Sequence, residues 1–94
     1  MNILLINGPN LNLLGTREPE IYGTDTLEEL MMWVETNPIS SGHSFKFYQS
    51  NHEGGIIDTI QDERHWANGL LINPAAFTHY SYAIRDTISS VDIS

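Results

Sequence analysis

The sequence predicts an α/β fold, a three-layer sandwich with helices on both faces of a parallel sheet. Three observations predict it. Strand-like segments at Ile3 to Ile6, Phe45 to Gln49 and Leu70 to Ile72 are each followed by polar, turn-forming residues. Segments with helical periodicity follow each run. Strand and helix therefore alternate through the chain, and that order calls for helical crossovers between parallel strands.

Ile3 to Ile6 is continuously apolar and stops at Asn7-Gly8-Pro9-Asn10, as a strand buried on both faces does before a turn. A polar stretch through Gly23 then lacks periodicity, and a loop of that length is usually functional or mobile. Thr26 and Glu29 have the spacing of a capping box, so a helix should begin there. Leu27, Leu30, Met31 and Val34 would form its single buried stripe. Asn37-Pro38 ends it. In the second strand Phe45 and Phe47 share one face, and Lys46 and Tyr48 the other. Ser50-Asn51-His52 is placed to cap a second helix running from Glu53 to Trp66, although Gly54 and Gly55 weaken its first turn. After the third strand, stopped by Asn73-Pro74, a helix from Ser81 to Ser90 would bury Ala83, Ile84, Thr87, Ile88 and Val91. Three strands make a narrow sheet. If two of them flank the first, both lateral edges stay unpaired. The expected fold is thus cut short after the third β-α unit, within a single domain spanning 1–94.

Composition removes several function classes. Hydrophobic residues make up 40% of the chain, which supports a packed core. The net charge of -8 disfavours a nucleic-acid partner, which wants a basic surface. A small anionic substrate remains compatible, since solvent screens exposed charges beyond about 10 Å. There is no cysteine, so disulfides, thiolate nucleophiles and cysteine-ligated zinc drop out, and a reducing, cytoplasmic setting fits. No apolar run approaches the ~20 residues that span a bilayer, so no membrane partner is expected. The glycines of a dinucleotide fingerprint and the G-K-[ST] of a P-loop are missing, and no His-x-x-x-His spacing suggests a metal.

In an open α/β sheet, ligands bind beyond the carboxyl ends of the strands. Three polar clusters fall there: Asn7 to Tyr22, Gln49 to Glu53 and Asn73 to His79. The first offers Asn10, Asn12, Arg17 and Tyr22. A guanidinium near a phenol favours the phenolate, a strong general base. Spacing alone favours a plainer arrangement, with Arg17 paired to Glu18 or Glu20 and Tyr22 packed by its ring. Asn73 presents an amide that both donates and accepts, and His79 precedes a helix, suited to binding a polar group or to capping. His43, His52 and His65 have no obvious partners and are expected at the surface.

Motifs sharpen this picture. Ile6-Asn7-Gly8-Pro9-Asn10-Leu11-Asn12-Leu13-Leu14-Gly15, Arg17-Glu18-Pro19-Glu20-Ile21-Tyr22-Gly23, Phe47-Tyr48-Gln49-Ser50-Asn51-His52-Glu53-Gly54 and Ile72-Asn73-Pro74-Ala75-Ala76-Phe77-Thr78-His79, followed by Ala83-Ile84-Arg85-Asp86, occur in that order. Together they resemble the signatures of type II 3-dehydroquinate dehydratases over the whole chain, which would correspond to the N-terminal two thirds of a usual member. The resemblance implies a flavodoxin-like fold and a cofactor-free lyase that eliminates water from 3-dehydroquinate in the anti sense to give 3-dehydroshikimate. That reaction serves aromatic amino acid biosynthesis through the shikimate pathway, or quinate catabolism. It further implies Tyr22 as the base, Arg17 as the group holding Tyr22 deprotonated, and Asn10 as the residue positioning water or the developing oxyanion. Asn73, His79 and Asp86 would bind the substrate, Asp86 by reaching a neighbouring subunit if not its own site, and Asn12 would lie on a mobile lid. Members assemble as trimers packed into a dodecamer.

The sequence departs from the family pattern at its far end. The V-H-[LI]-S-N strand, whose histidine serves the departing hydroxyl, and a later R-E-x-[FR] arginine segment do not occur in these residues. General acid catalysis of this kind is worth ~10²–10⁴-fold. Two other readings therefore stand beside the lyase: a non-catalytic protein that keeps an anion-binding half-site, and a small flavodoxin-like module for a phosphate or flavin, against which the missing glycines argue.

Overall fold

A computed structural model describes residues 1–16, 23–75, 82–91 and 93. Strand β1 (Asn2–Asn7) leads through a short 3-10 turn (Leu11–Leu13) to helix α1 (Leu27–Thr36). A second 3-10 turn (Pro38–Ser40) precedes β2 (Ser44–Gln49), then come α2 (Glu53–Asp62), β3 (Gly69–Asn73) and α3 (Tyr82–Ser90). The strands form a parallel sheet in the order β2-β1-β3. The first strand is central, and Asn7 stands level with Gln49 on one side and Asn73 on the other. All three strands thus end in one row.

Alternation along β1 assigns the two faces. Leu4 and Ile6 point to one side and form the core with Ile56, Ile60, Ala67 and Ile84, beneath α2 and α3. Asn7 points to the other, where its Nδ2 donates to the Met31 thioether of α1 at 3.4 Å. Phe45 and Phe47 share this α1 face, their rings stacked with centroids 5.7 Å apart. On the opposite face of β2, Lys46 pairs with Glu63 at 2.7 Å and lies 4.5 Å from the centroid of the Trp66 ring. The architecture is a flavodoxin-like α/β sandwich.

Several expectations need correction. The α1 stripe of Leu27, Leu30, Met31 and Val34 is only partly covered, and no residue of that helix is buried. Among the described residues one helix faces that side of the sheet, so its apolar residues have too few neighbours to lose all contact with water. The helix expected to reach Trp66 ends at Asp62. Turns at 63–66 follow, and the Trp66 ring meets Lys46. His52 occupies the N-cap of α2 without a side-chain cap bond; Ser50 Oγ instead accepts the His52 N–H at 2.9 Å. In α3, Ile84 and Thr87 are buried as expected but Ala83 is exposed. The predicted start of that helix at Ser81 lies outside the described residues. No helix among the described residues is long and apolar enough to cross a membrane.

Candidate active site

The end of β1 is joined to the end of β3 by backbone alone. Gly8 N–H donates to the Asn73 carbonyl at 2.8 Å. A Cβ on Gly8 would stand 2.5 Å from the Pro74 carbonyl oxygen, so only glycine permits this approach. The first and third polar clusters are thereby set side by side.

Each cluster then presents an asparagine. Asn10 adopts the left-handed conformation, with φ 66° and ψ -5°, which asparagine tolerates better than most residues. It stands at the N-cap of the 3-10 turn, yet its side chain makes no capping bond. The carboxamide is therefore not used by the turn it opens. Asn73 uses one half of its amide locally: Oδ1 accepts the Ala75 N–H at 3.2 Å in a side-chain turn. Its NH₂ is the half left for another acceptor. Ala75 itself has φ 50°, unusual for a residue with a Cβ, and such strain tends to gather at functional sites.

The polar loop departs and returns through a narrow base. Gly15 has φ 83°, and a Cβ there would come within 2.7 Å of the Thr24 carbonyl oxygen. The chain on either side of 17–22 is thus in close contact. Arg17 and Tyr22 fall within that segment, and His79 within 76–81; all three lie outside the described residues. Asn12 is exposed on the 3-10 turn. It also lines a cavity of about 630 Å³ between α1 and the sheet, together with Asn7, Leu27, Met31, Phe47 and Gln49. Asn7 and Gln49, the last residues of β1 and β2, place one end of this cavity at the strand ends, and neither Asn10 nor Asn73 is among its lining residues.

Asp86 has no described bond to this cluster: it is exposed on α3, and no described hydrogen bond or ion pair links it to Asn10, Asn12 or Asn73. His43, His52 and His65 are exposed, as expected, and His43 Nδ1 lies 3.0 Å from the N-terminal amine. Among the described residues no group of three or more His, Cys, Asp or Glu side chains converges as a metal site. Two residues absent from the list of candidates do belong here. Gln49 and Asn51, at the end of β2, reach across to the loop that carries Asn10 and Asn12. The signal for them was available: a polar pair directly beyond a strand end, in the row where ligands bind.

Comparison with known proteins agrees with this geometry. The family described as Dehydroquinase class II matches residues 1–94. The chain is 54% identical over 92 residues to a catabolic 3-dehydroquinase from Aspergillus clavatus, covering 98% of this chain and 61% of that protein. It is 46% identical to a 3-dehydroquinate dehydratase from Bacillus licheniformis, covering 98% of this chain and 63% of that one. The crystal structure of a type II dehydroquinase from Butyrivibrio crossotus superposes with a TM-score of 0.88 at 52% identity, covering 97% of this chain and 63% of its own. The chain spans somewhat less than two thirds of the length of these relatives. With its motifs, its sheet order and its full-length match in agreement, the chain belongs to the class II dehydroquinase family.

Proposed function

We propose that this chain carries the proton-abstracting part of a site that dehydrates 3-dehydroquinate to 3-dehydroshikimate. The observation that carries the reading is the Gly8–Asn73 clasp, which sets the Asn10 and Asn73 loops side by side in a chain matched to the family along its whole length. In the proposed reaction the Tyr22 phenolate, kept ionised by Arg17, takes the proton from the carbon beside the ketone. The electrons move into an enolate, and preorganised donors including Asn10 receive its charge. Collapse of the enolate expels the hydroxyl, which leaves as water once protonated. Asn73 and His79 hold substrate hydroxyls, and Asn12 belongs to the loop that closes over the site. Asp86, exposed on α3, would serve the site of a neighbouring subunit. The scheme uses no metal, flavin or nucleotide. The trimer-based dodecamer belongs to the same proposal, as does a cytoplasmic location, and light scattering coupled to size exclusion measures the assembly.

Calorimetric titration with 3-dehydroquinate tests binding, and the rising absorbance of the conjugated enone tests turnover. The chain should bind the substrate. Turnover by residues 1–94 should fall ~10²–10⁴-fold below that of the Bacillus licheniformis relative, because the V-H-[LI]-S-N pattern that would assist the leaving group does not occur within these residues. Tyr22→Phe should abolish the remaining turnover and leave binding in place. Absence of binding would overturn the proposal. Binding without any turnover would favour the non-catalytic reading for residues 1–94.

A further inference from the structure

We infer that Gln49 and Asn51 are positioning residues for this site, a pair of side-chain amides on β2 that fixes the conformation of the loop bearing Asn10 and Asn12. The inference rests on the dehydration reading for what the loop does, and on geometry alone for how the loop is held.

The parallel register sets Gln49 beside Asn7, the last residue of β1. From there its Nε2 lies 3.2 Å from the Gly8 carbonyl oxygen, 3.2 Å from Asn51 Oδ1 and 3.4 Å from Asn12 Oδ1. All three neighbours are acceptors, so only the nitrogen end of the amide fits this position. Two hydrogens serve three oxygens, and the longest contact, to Asn12, is the one most easily exchanged. Asn51 has the complementary role. Its Oδ1 accepts the Asn10 backbone N–H at 2.9 Å as well as the Gln49 donor, which fills both lone pairs. The Asn10 N–H fixes the orientation of the peptide that precedes the left-handed residue, and hence the direction in which the Asn10 carboxamide projects. Among the described residues, the partners of the Gln49 and Asn51 side chains, apart from each other, lie on the Gly8-to-Asn12 stretch. Gln49 and Asn51 act through Asn10 and Asn12.

The two amides use opposite ends, so isosteric acids distinguish positioning from mere space filling. Asn51→Asp keeps an acceptor for the Asn10 N–H and for Gln49. Gln49→Glu replaces the donor with a carboxylate that faces three oxygens. Hydrogen exchange of the Asn10 amide, followed by NMR on the 94-residue chain, reads the loop directly, and thermal melting reports global stability. We expect Asn51→Asp to exchange at the parent rate. Asn51→Ala and Gln49→Glu should each accelerate Asn10 exchange by about tenfold, with melting little changed. Titration with 3-dehydroquinate should show the same order: parent-like affinity for Asn51→Asp and weakened affinity for the other two. Parent-like exchange in Gln49→Glu, or equal loss in Asn51→Asp and Asn51→Ala, would overturn the inference. Should a variant fail to fold, Gln49→Met, which lacks the donor without adding charge, supplies the same contrast. If the parent binds no 3-dehydroquinate the dehydration reading fails, while the exchange contrast still decides whether these amides hold the loop.

Discussion

Helices α1 and α2 lie on opposite faces of the same sheet, and they are stabilised in opposite ways. Helix α1 has a complete capping box, with Thr26 accepting the Glu29 N–H at 3.1 Å and Glu29 accepting in return from the Thr26 N–H at 3.3 Å. Yet none of its residues is buried, and Met32 and Trp33 are 67% and 65% exposed. Helix α2 has no side-chain cap and two glycines in its first turn, each less favourable than alanine by ~1 kcal/mol. It nevertheless buries Ile56 and Ile60 completely. Local signals define the first helix, and tertiary packing defines the second. The sheet follows the same division. Leu4 and Ile6 are sealed beneath α2 and α3, whereas Leu71, on the α1 side, is 52% exposed.

The largest effect that tests this contrast is a deletion within the packed face. Ile60→Ala removes a fully buried side chain from the cluster with Leu4, Ile56 and Ile84. It should destabilise the chain by ~2–5 kcal/mol in a urea melt. On a domain of this size that is a large share of the total stability, about 5–15 kcal/mol for native proteins generally. Met31→Ala on α1, a side chain only half-covered, should cost visibly less. Equal losses at the two positions would erase the distinction between the faces.

A smaller and more local effect is expected at the cap. Thr26→Ala removes the acceptor of the Glu29 N–H and should cost about 1 kcal/mol. Because few buried contacts hold α1, much of that change should appear as local opening. Hydrogen exchange should therefore quicken across α1 while the interior amides of α2 keep their protection. Acceleration spread evenly over both helices would mean that α1 opens only with the whole fold, and that its exposed surface misrepresents its coupling to the sheet.

The same division explains what could be read from the sequence. Apolar runs such as Ile3 to Ile6 declare buried parallel strands, and Thr26 with Glu29 declares a helix start, since each signal is local. The depth of burial is not local. Leu27, Leu30, Met31 and Val34 have the periodicity of a buried stripe, but periodicity sets only which side faces the sheet, not how many neighbours cover it. The end of α2 was also hidden. No glycine or proline marks Asp62, and the chain turns at 63–66 where Glu63 and Trp66 both meet Lys46 of β2, a long-range arrangement. Asn10 and Asn73 were singled out by strand-end placement, and the Gly8–Asn73 backbone bond sets their loops side by side. Gln49 and Asn51 lay in the strand-end cluster of β2 but were not singled out, because which loop atoms their amides hold appears only when that loop folds back onto β2. Asp86 is a different case. A motif match assigned it a part in the site, but within this chain its exposed position on α3 gives it no described bond to that cluster.

The smallest effect probes the thin face itself. Trp33 is the largest side chain on α1 and lies mostly in water. Replacement by a polar residue of good helix propensity, Trp33→Gln, removes little buried area and breaks no hydrogen bond given for the described residues. Substitutions of that kind usually fall within about 0.5 kcal/mol of neutral. The melt of the isolated chain should therefore barely move, in contrast to Ile60→Ala. A loss above ~1.5 kcal/mol would show that Trp33 is covered in solution, and dilution distinguishes how. If the loss vanishes as protein concentration falls, the cover comes from association between copies, since a partner that binds the folded form stabilises it by mass action. If it persists at every concentration, α1 packs more tightly on its own sheet than its exposure implies, and the contrast between the two faces narrows to a difference of degree.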